Sequence, residues 1–562
     1  MENPSTGADA VVEALRAEGV NTIFGLVGSS TMDLFDKLYD ADDIRFVGAR
    51  DERTGTNMAD GYARVSGALG VMIAGQSGPG VTNAVTGVAQ AQLAFSPVLV
   101  IAGGIMRKHV YADGFQEIDQ QRLLEPITKR TYTVPNAGRL IPVLQEAMRH
   151  ALTGRKGPVV VNVPRDVFAE ATDMAGLAAP DAYRLASRPA PDPEALRRAA
   201  RLLAGAERPV IVAGGGVKDG GRWQETATLA ELLGCPVVMS AGHGDAIPSD
   251  HPLTGGQFGP RGNPVATAAV QRADVILVLG SRLGFNTTFL SSESVNPDAD
   301  LIQVDVHTPA IGRYFPVSVG LVGDAPLTAA SLSDLLAGHQ PGEPVVKWAR
   351  QFKEDRDRFR FERDETANDS GSPIAPARAF RALRRTLPRD AVVTLDAGTL
   401  NRQATDALEY FMPPGLITPL DWGCVGFSFG AGLGAQVAAP DRPVVSLAGD
   451  GGFAMTVAEL STAVSEDIPI KVVVLNNHCW GAEKAYQQDF FGGRYIGSDL
   501  DNPPFDEVAK LYGAAGYRAD DPDTVEDVLR QAFAEDRPTV VDMQISPDAL
   551  SAFDRGSFSH RT

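Results

Sequence analysis

The tightest constraint on the fold lies in residues 443–477, PVVSLAGDGGFAMTVAELSTAVSEDIPIKVVVLNN. Two short runs, PVVSLAG and KVVVLNN, are apolar almost throughout, with none of the polar alternation of a half-exposed strand. Strands of that kind belong to parallel sheets covered on both faces. The segment between them, MTVAELSTAVSE, has helical spacing. A strand–helix–strand crossover is right-handed and brings both strand ends to the same edge of the sheet. Asp450, set between glycines, and Asn477 therefore both fall at carboxyl ends of parallel strands, where open α/β sheets bind ligands.

The same alternation recurs along the chain. A first block runs from the helical ADAVVEALRAEG through TIFGLVG, IRFVGA, TNMADGYARVSG, GVMIAG and PVLVIAG to PVVVNVPRDV at 158–167. ASRPAPDPEAL reads as a linker, rich in Pro and Ala. A second block contains PVIVAGGG, WQETATLAELLG, PVVMSAG, ADVILVLGSR and LIQVDV. The charged stretch 348–373 is expected to be an exposed helix and a second linker. A third block extends from ARAFRALRRTLP to TVVDMQIS. The pattern predicts an α/β protein of three doubly wound parallel-sheet domains, at 1–180, 190–340 and 372–550. A length of 562 residues suits such a chain.

Composition removes several classes of function. The net charge is −19 and no cluster of Lys and Arg stands out, so no nucleic-acid partner is expected. Three well-separated cysteines, Cys235, Cys424 and Cys479, argue against a disulfide framework or a four-cysteine zinc site and suit a reducing compartment. The first residues lack the basic and apolar regions of a secretory signal, and no apolar run reaches the ~18 residues of a membrane span. A cytoplasmic protein without membrane association is the expectation.

The edge that carries Asp450 and Asn477 has a definite chemical character. Gly449, Gly451 and Gly452 let the backbone approach something bulky, and the N-terminus of the following helix favours a phosphate. A carboxylate and an amide oxygen beside a diphosphate form a hard-oxygen site suited to Mg²⁺.

GDG followed 26 residues later by NN resembles the thiamine diphosphate motif. Nearly the whole chain resembles the acetolactate synthase and pyruvate oxidase superfamily, whose three domains follow the order pyrimidine-binding, central and diphosphate-binding. The resemblance implies that Asp450, Asn477 and the backbone carbonyl of Cys479 hold Mg²⁺, and that Gly451 and Gly452 meet the diphosphate. It places Gly398 and Thr399, in LDAGTLNRQ, on the other side of the diphosphate. In LDWGCVGFSFGAGLGAQVAAP, Val425 would be the apolar wedge that bends the cofactor, and the carbonyl of Gly423 would accept from its 4′-amino group. RFVGARDERTGTNMADGYAR resembles the strand and helix that present the activating carboxylate, here Glu52, although Asp51 stands where the family has His or Asn. In the family these two halves come from different subunits, which implies a homodimer or homotetramer.

AGQSGPGVTN and DGFQEIDQ resemble the substrate-side turn and loop, which makes Gln76, Phe115 and Gln116 candidate active-site residues. No adjacent His pair stands in the first block; only His478 and His109 are near the motifs by sequence, which disfavours simple decarboxylation. NNHCWGAEKAYQQDFFGGRYIGSDLDNPPF, GFQEIDQ and IQVDVHTPAIG with VGLVGDA resemble sulfoacetaldehyde acetyltransferases. That resemblance implies conversion of sulfoacetaldehyde and phosphate to acetyl phosphate and sulfite, with Lys484 or Arg494 holding a small anionic aldehyde, a 2-oxo acid or phosphate. The departures are QSG in place of QNG, Asp51, and VGSSTMD in the first Gly turn. An acetolactate-synthase-like carboligase is the alternative. A 2-hydroxyacyl-CoA lyase is disfavoured because the tail PDALSAFDRGSFSHRT forms no basic lid, and a cofactor-free scaffold because Glu52, Asp450 and Asn477 are intact. In the central block, PVIVAGGGV is not a full dinucleotide fingerprint. FAD is not expected there, although Arg282 resembles a flavin-contacting position.

Overall fold

The computed structural model describes residues 4–550 except 186, 219, 220, 370 and the side chain of Asp406; the tail from 551 on, and Ala186 of the first linker, lie outside the described residues. Three six-stranded sheets, parallel throughout, follow one another along the chain. The first contains β1 (Thr22–Leu26), β2 (Arg45–Gly48), β3 (Gly70–Ala74), β4 (Val98–Gly104), β5 (Arg130–Thr133) and β6 (Val159–Pro164). The second contains β7 (Pro209–Ala213), β8 (Val237–Met239), β9 (Thr254–Gln257), β10 (Val275–Leu279), β11 (Asp300–Asp305) and β12 (Val319–Val322). The third contains β13 (Val392–Leu395), β14 (Leu416–Ile417), β15 (Val444–Gly449), β16 (Lys471–Asn476), β17 (Ala515–Ala519) and β18 (Thr539–Gln544).

The first and third sheets share one strand order, β2-β1-β3-β4-β6-β5 and β14-β13-β15-β16-β18-β17. The middle sheet, β9-β8-β7-β10-β11-β12, has the dinucleotide-fold order instead. In the outer two sheets the direction of winding reverses between β1 and β3 and between β13 and β15, so each opens a crevice at the carboxyl ends of those strands. The central strands are buried on both faces, β15 and β16 among them, as their apolar runs require.

Three local expectations need correction. The stretch after Asp450 is not one helix but a short helix Asp450–Ala454, a 3-10 turn Val457–Glu459 and a second helix Leu460–Ser465. The break falls at Thr456, whose hydroxyl bonds back to the carbonyls of Gly452 and Phe453 and competes with helix continuation. The bend delivers the buried Glu459 carboxylate to the backbone N–H of Arg50 at 3.0 Å. The charged stretch forms the helix Glu343–Thr366, and it is not exposed all round. Trp348, Phe352 and Arg356 are buried on the middle sheet, with Trp348 Nε1 donating to the Pro209 carbonyl at 3.0 Å and Arg356 Nη1 to that of Thr254 at 3.2 Å. The linker expected at 186–196 is shorter than its Pro content suggested: Pro193 opens the helix Pro193–Gly205, a first-turn position that proline tolerates.

The first and third sheets are joined by helix Glu52–Ser66 packed on helix Phe427–Ala438. The approach is backbone to backbone: a Cβ added at Gly61 would lie 2.0 Å from the Ala431 carbonyl oxygen, and one at Gly434 1.8 Å from that of Met58. Arg64 fastens the same joint, bidentate to Asp60 at 2.7 and 2.9 Å and donating to the Thr418 carbonyl at 2.8 Å. Gly434→Ala should therefore cost about 2–3 kcal/mol in denaturant unfolding, as overpacking against an immovable backbone does. A stability equal to that of the wild type would show that the two helices do not meet this closely.

Candidate active site

The crevice between β13 and β15 holds a cavity of about 520 Å³. Three loop–helix junctions line it: Gly398 and Thr399 after β13, Gly449–Gly452 after β15, and Asn477–Gly481 after β16. Gly423 and Val425 close one side, and Phe285, Asn286 and Arg261 reach in from the middle domain. Nine of the ten candidates of the third block, Gly398, Thr399, Gly423, Val425, Asp450, Gly451, Gly452, Asn477 and Cys479, are thus brought together.

Their positions follow from local chemistry. Gly398 and Gly423 have φ of 115° and 82°, which favours glycine at both. Gly451 lies under Trp480, 2.5 Å from the ring by the position of an added Cβ, and Gly452 lies 2.7 Å from Asp396 in the same sense. Asp396 is buried and accepts from the N–H groups of Ala397 at 2.7 Å, Gly426 at 2.9 Å and Phe427 at 3.3 Å. It thereby anchors the segment carrying Gly423 and Val425 to the end of β13. Burial pushes its carboxyl up to about 6, against the opposing pull of those backbone donors. Asp396 and Trp480 were not anticipated from sequence. For Asp396 the signal was there, an acid at the end of an apolar strand as in the case of Asp450; for Trp480 only its place beside the Asn pair.

Asp450, Asn477 and the Cys479 carbonyl form the chemically telling cluster. One arm of the Asn477 amide lies 3.0 Å from the Cys479 carbonyl oxygen and 3.2 Å from Asp450 Oδ1. With its nitrogen there the amide donates to both acceptors; with its oxygen there, three acceptors converge. A divalent cation resolves such a cluster; without one, the amide satisfies it by turning its nitrogen inward. Burial pushes Asp450 up to about 6, and its Oδ2 accepts from Asn502 at 3.4 Å. The oxygens fit Mg²⁺, and the three surrounding helix N-termini fit a diphosphate. No group of three or more His, Cys, Asp or Glu suited to a metal exists among the described residues, so this mixed set of acid, amide and carbonyl is what the chain offers.

The first-block candidates form a separate cluster. Glu52 is the buried first residue of its helix; Asn83 Nδ2 donates to its Oε2 at 3.0 Å. Gly80 sits against it, where a Cβ would be 3.0 Å from Oε1. Gln76 accepts from the Ser29 N–H at 2.9 Å and donates to the Gln116 side chain. Gln116 has a φ of 66° and Phe115 is 85% exposed. Asp51, which departs from the family pattern, caps the helix by accepting from the N–H groups of Arg53 and Thr54 at 2.9 and 3.4 Å. Glu52, Gln76, Phe115 and Gln116 do not line the third-block cavity of the same chain.

Lys484 does not line it either: it pairs with Asp499 at 2.6 Å, which raises its pKa, and lies over the Tyr495 ring. Arg494 and His109 are exposed, and His478 is turned to Gln544, 2.9 Å away. The three cysteines are free and buried.

A larger cavity, about 690 Å³, lies where the three domains meet, with Arg155, Arg282, His243 and the Gly215–Gly216 turn on its walls. Arg282 pairs with Asp421 at 2.9 Å, and both Arg282 and Arg155 lie over the Phe95 ring. Burial holds His243 neutral, its pKa depressed to about 3.

A three-domain α/β chain with a hard-oxygen and diphosphate-shaped crevice at the switch point of its last sheet is of the thiamine diphosphate-dependent class. Family models agree along the chain: thiamine pyrophosphate enzyme, N-terminal TPP binding domain, at 5–123; the central domain at 196–332; and the C-terminal TPP binding domain at 396–543. The chain belongs to this family of thiamine pyrophosphate enzymes. It is 34% identical to a sulfoacetaldehyde acetyltransferase of Castellaniella defragrans, covering 99% of this chain and 95% of the relative. The same identity and coverage hold for a sulfoacetaldehyde acetyltransferase of Alcaligenes xylosoxydans xylosoxydans. A probable acetolactate synthase large subunit of Methanocaldococcus jannaschii is 33% identical over 96% of this chain and 92% of its own length. Among the described residues no helix is long and apolar enough to cross a membrane.

Removing the carboxylate of the oxygen cluster should release the cofactor. Asp450→Ala is expected to weaken Mg²⁺-dependent thiamine diphosphate binding at least ~100-fold, beyond the usual loss from an outer-shell partner. Quenching of Trp422 and Trp480, both on the cavity wall, gives the readout. Undiminished affinity would remove Asp450 from the metal site.

Proposed function

We propose that this enzyme is a sulfoacetaldehyde acetyltransferase, converting sulfoacetaldehyde and phosphate to acetyl phosphate and sulfite in the cytoplasm. The observation that carries this reading is the end-to-end similarity to two enzymes of that name. Thiamine diphosphate, when bound, supplies a nucleophilic ring carbon for attack on the substrate carbonyl. Asp450, Asn477 and the Cys479 carbonyl hold Mg²⁺, and the N-termini at Thr399 and Gly451 receive the diphosphate. The Gly423 carbonyl accepts from the pyrimidine amino group, and Val425 supports the bend. Glu52 holds the proton at the pyrimidine ring nitrogen, its buried carboxylate kept in place by Asn83. Gln76 and Gln116, joined to one another, face the substrate beside Phe115.

Since Glu52 and Asp450 belong to separate clusters within one chain, the reading requires a homodimer, or a homotetramer built from it. The first-block cluster of one copy meets the third-block cavity of another, and the exposed Tyr111, Phe115 and Ile118 are covered in the process. A second reading, an acetolactate-synthase-like carboligase acting on pyruvate, is favoured by the 33% identity to the acetolactate synthase subunit. No flavin is assigned to the three-domain cavity.

The test is sulfite release from sulfoacetaldehyde with thiamine diphosphate, Mg²⁺ and phosphate, with pyruvate run in parallel. Phosphate-dependent sulfite release without pyruvate turnover is expected; pyruvate consumption without sulfite would establish the carboligase. Glu52→Gln should lower kcat about 100-fold or more, within the range of general acid–base contributions, with cofactor affinity little changed. Unchanged turnover would remove Glu52 from its role. The purified enzyme should show no flavin absorbance, and a yellow protein would place a flavin in the larger cavity.

A further inference from the structure

One buried acid of the third domain has no part in the chemistry described so far. Asp396 stands just past the end of β13 and does not line the cavity. It is 1% exposed and enclosed by its own chain, so a second copy cannot reach it. A carboxylate so deeply buried is costly unless it is well bonded, which makes its partners informative. Apart from the neighbouring Ala397 N–H at 2.7 Å, all of its donors lie on one segment. The Gly426 N–H reaches Oδ1 at 2.9 Å and Oδ2 at 3.1 Å, the Phe427 N–H reaches Oδ1 at 3.3 Å, and the Ser428 hydroxyl reaches Oδ2 at 3.3 Å.

These donors are the first groups of helix Phe427–Ala438 and its cap, Gly426, which has no side chain to satisfy them. Asp396 does so from another strand end, with its negative charge at the positive end of the helix. Upstream, the Pro419 carbonyl accepts from the N–H groups of Trp422 at 3.0 Å and Gly423 at 2.7 Å. Residues 423–425 therefore bridge two fixed points, one at Pro419 and one at Asp396. Gly423 and Val425 both line the cavity from that bridge. Toward the turn after β15 Asp396 offers packing alone among the described residues, with Gly452 so close that an added Cβ would lie 2.7 Å from Oδ2.

Resting on the reading of Gly423 and Val425 as contacts of the pyrimidine half of the cofactor, we propose that Asp396 is a positioning residue for that half. It fixes the backbone from which the Gly423 carbonyl and the Val425 side chain are presented. The metal and diphosphate side is left to the other loops. A carbonyl displaced by a fraction of an ångström loses its hydrogen bond to a cofactor that is already held at the other end. The effect of Asp396 should therefore fall on one half of the cofactor.

The experiment uses the full-length protein freed of cofactor, in the presence of Mg²⁺. Thiamine diphosphate and inorganic diphosphate are titrated calorimetrically into the wild type, Asp396→Asn and Asp396→Ala. Inorganic diphosphate engages the metal and diphosphate side only, so it reports whether that side is intact. In Asp396→Ala, thiamine diphosphate affinity should fall about 10- to 100-fold, the scale of one or two lost hydrogen bonds. Inorganic diphosphate affinity should change less than about threefold, within the scatter of sites that do not couple. Asp396→Asn keeps the shape and one acceptor oxygen, and should recover part of the loss while remaining selective for the pyrimidine-bearing probe. Where Asp396→Ala does not fold, Asp396→Asn decides by the same comparison. Equal losses for both probes would make Asp396 a general structural residue and overturn the proposal. Thiamine diphosphate affinity unchanged in the variants would overturn it as well. A wild type that binds thiamine diphosphate no more tightly than inorganic diphosphate would instead remove Gly423 and Val425 from the pyrimidine, and the proposal with them.

Discussion

Contact between two helix backbones underlies the arrangement of the chemistry. Helices Glu52–Ser66 and Phe427–Ala438 approach until Gly61 touches the Ala431 carbonyl and Gly434 that of Met58. Side chains would hold such helices ~8–10 Å apart and leave their relative rotation to rotamer choice. Glycine removes that freedom. One of these helices begins at Glu52, and the other begins just after Val425. The first and third sheets are therefore locked in one relation through the very elements that carry their functional ends. Arg50 donating to Glu459, and Thr462 to the Gly48 carbonyl at 3.0 Å, repeat the tie next to the segment that follows Asp450.

The two outer sheets share strand order, and each presents functional groups at its own reversal point. Gln76 and Ser29 meet across β3 and β1; Asp450 and Asp396 stand at β15 and β13. Identical topology explains why one chain has two such clusters. It also explains why they do not merge within the chain: each crevice opens at the carboxyl edge of its own sheet, and the shared helix joint fixes the sheets so that Glu52 stays outside the third-sheet cavity. On the reading proposed above, a second copy brings unlike edges face to face.

Much of this was legible in the sequence because its causes are local. Apolar runs without alternation marked every central strand, and the positions of Asp450 and Asn477 followed from the crossover alone. Gly398 and Gly423 were placed through family resemblance and then found with positive φ. What sequence did not yield depends on packing between distant segments. Lys484 pairs with Asp499, and Trp480 N–H bonds to the Ser498 carbonyl at 2.7 Å, contacts that no spacing announces. The amphipathic burial of Trp348 and Phe352 was masked by the acids and arginines around them. Arg261 belongs to the middle domain, and no periodicity or spacing connects it to a crevice roughly 190 positions later; only the way the domains pack does so.

The charge balance of the crevice links these observations. A diphosphate is an anion, yet the wall proposed to receive it contains Asp450, and buried Asp396 lies directly behind Gly452. Two buried carboxyls with pKa values pushed to about 6 show how poorly this place tolerates negative charge by itself. Helix N-termini contribute partial positive charge, equivalent to about half a unit each, which cannot balance a carboxylate and a diphosphate together. The deficit lies beside Asp450, the Asn477 amide and the Cys479 carbonyl, where a divalent ion would neutralise the acid and the diphosphate at once.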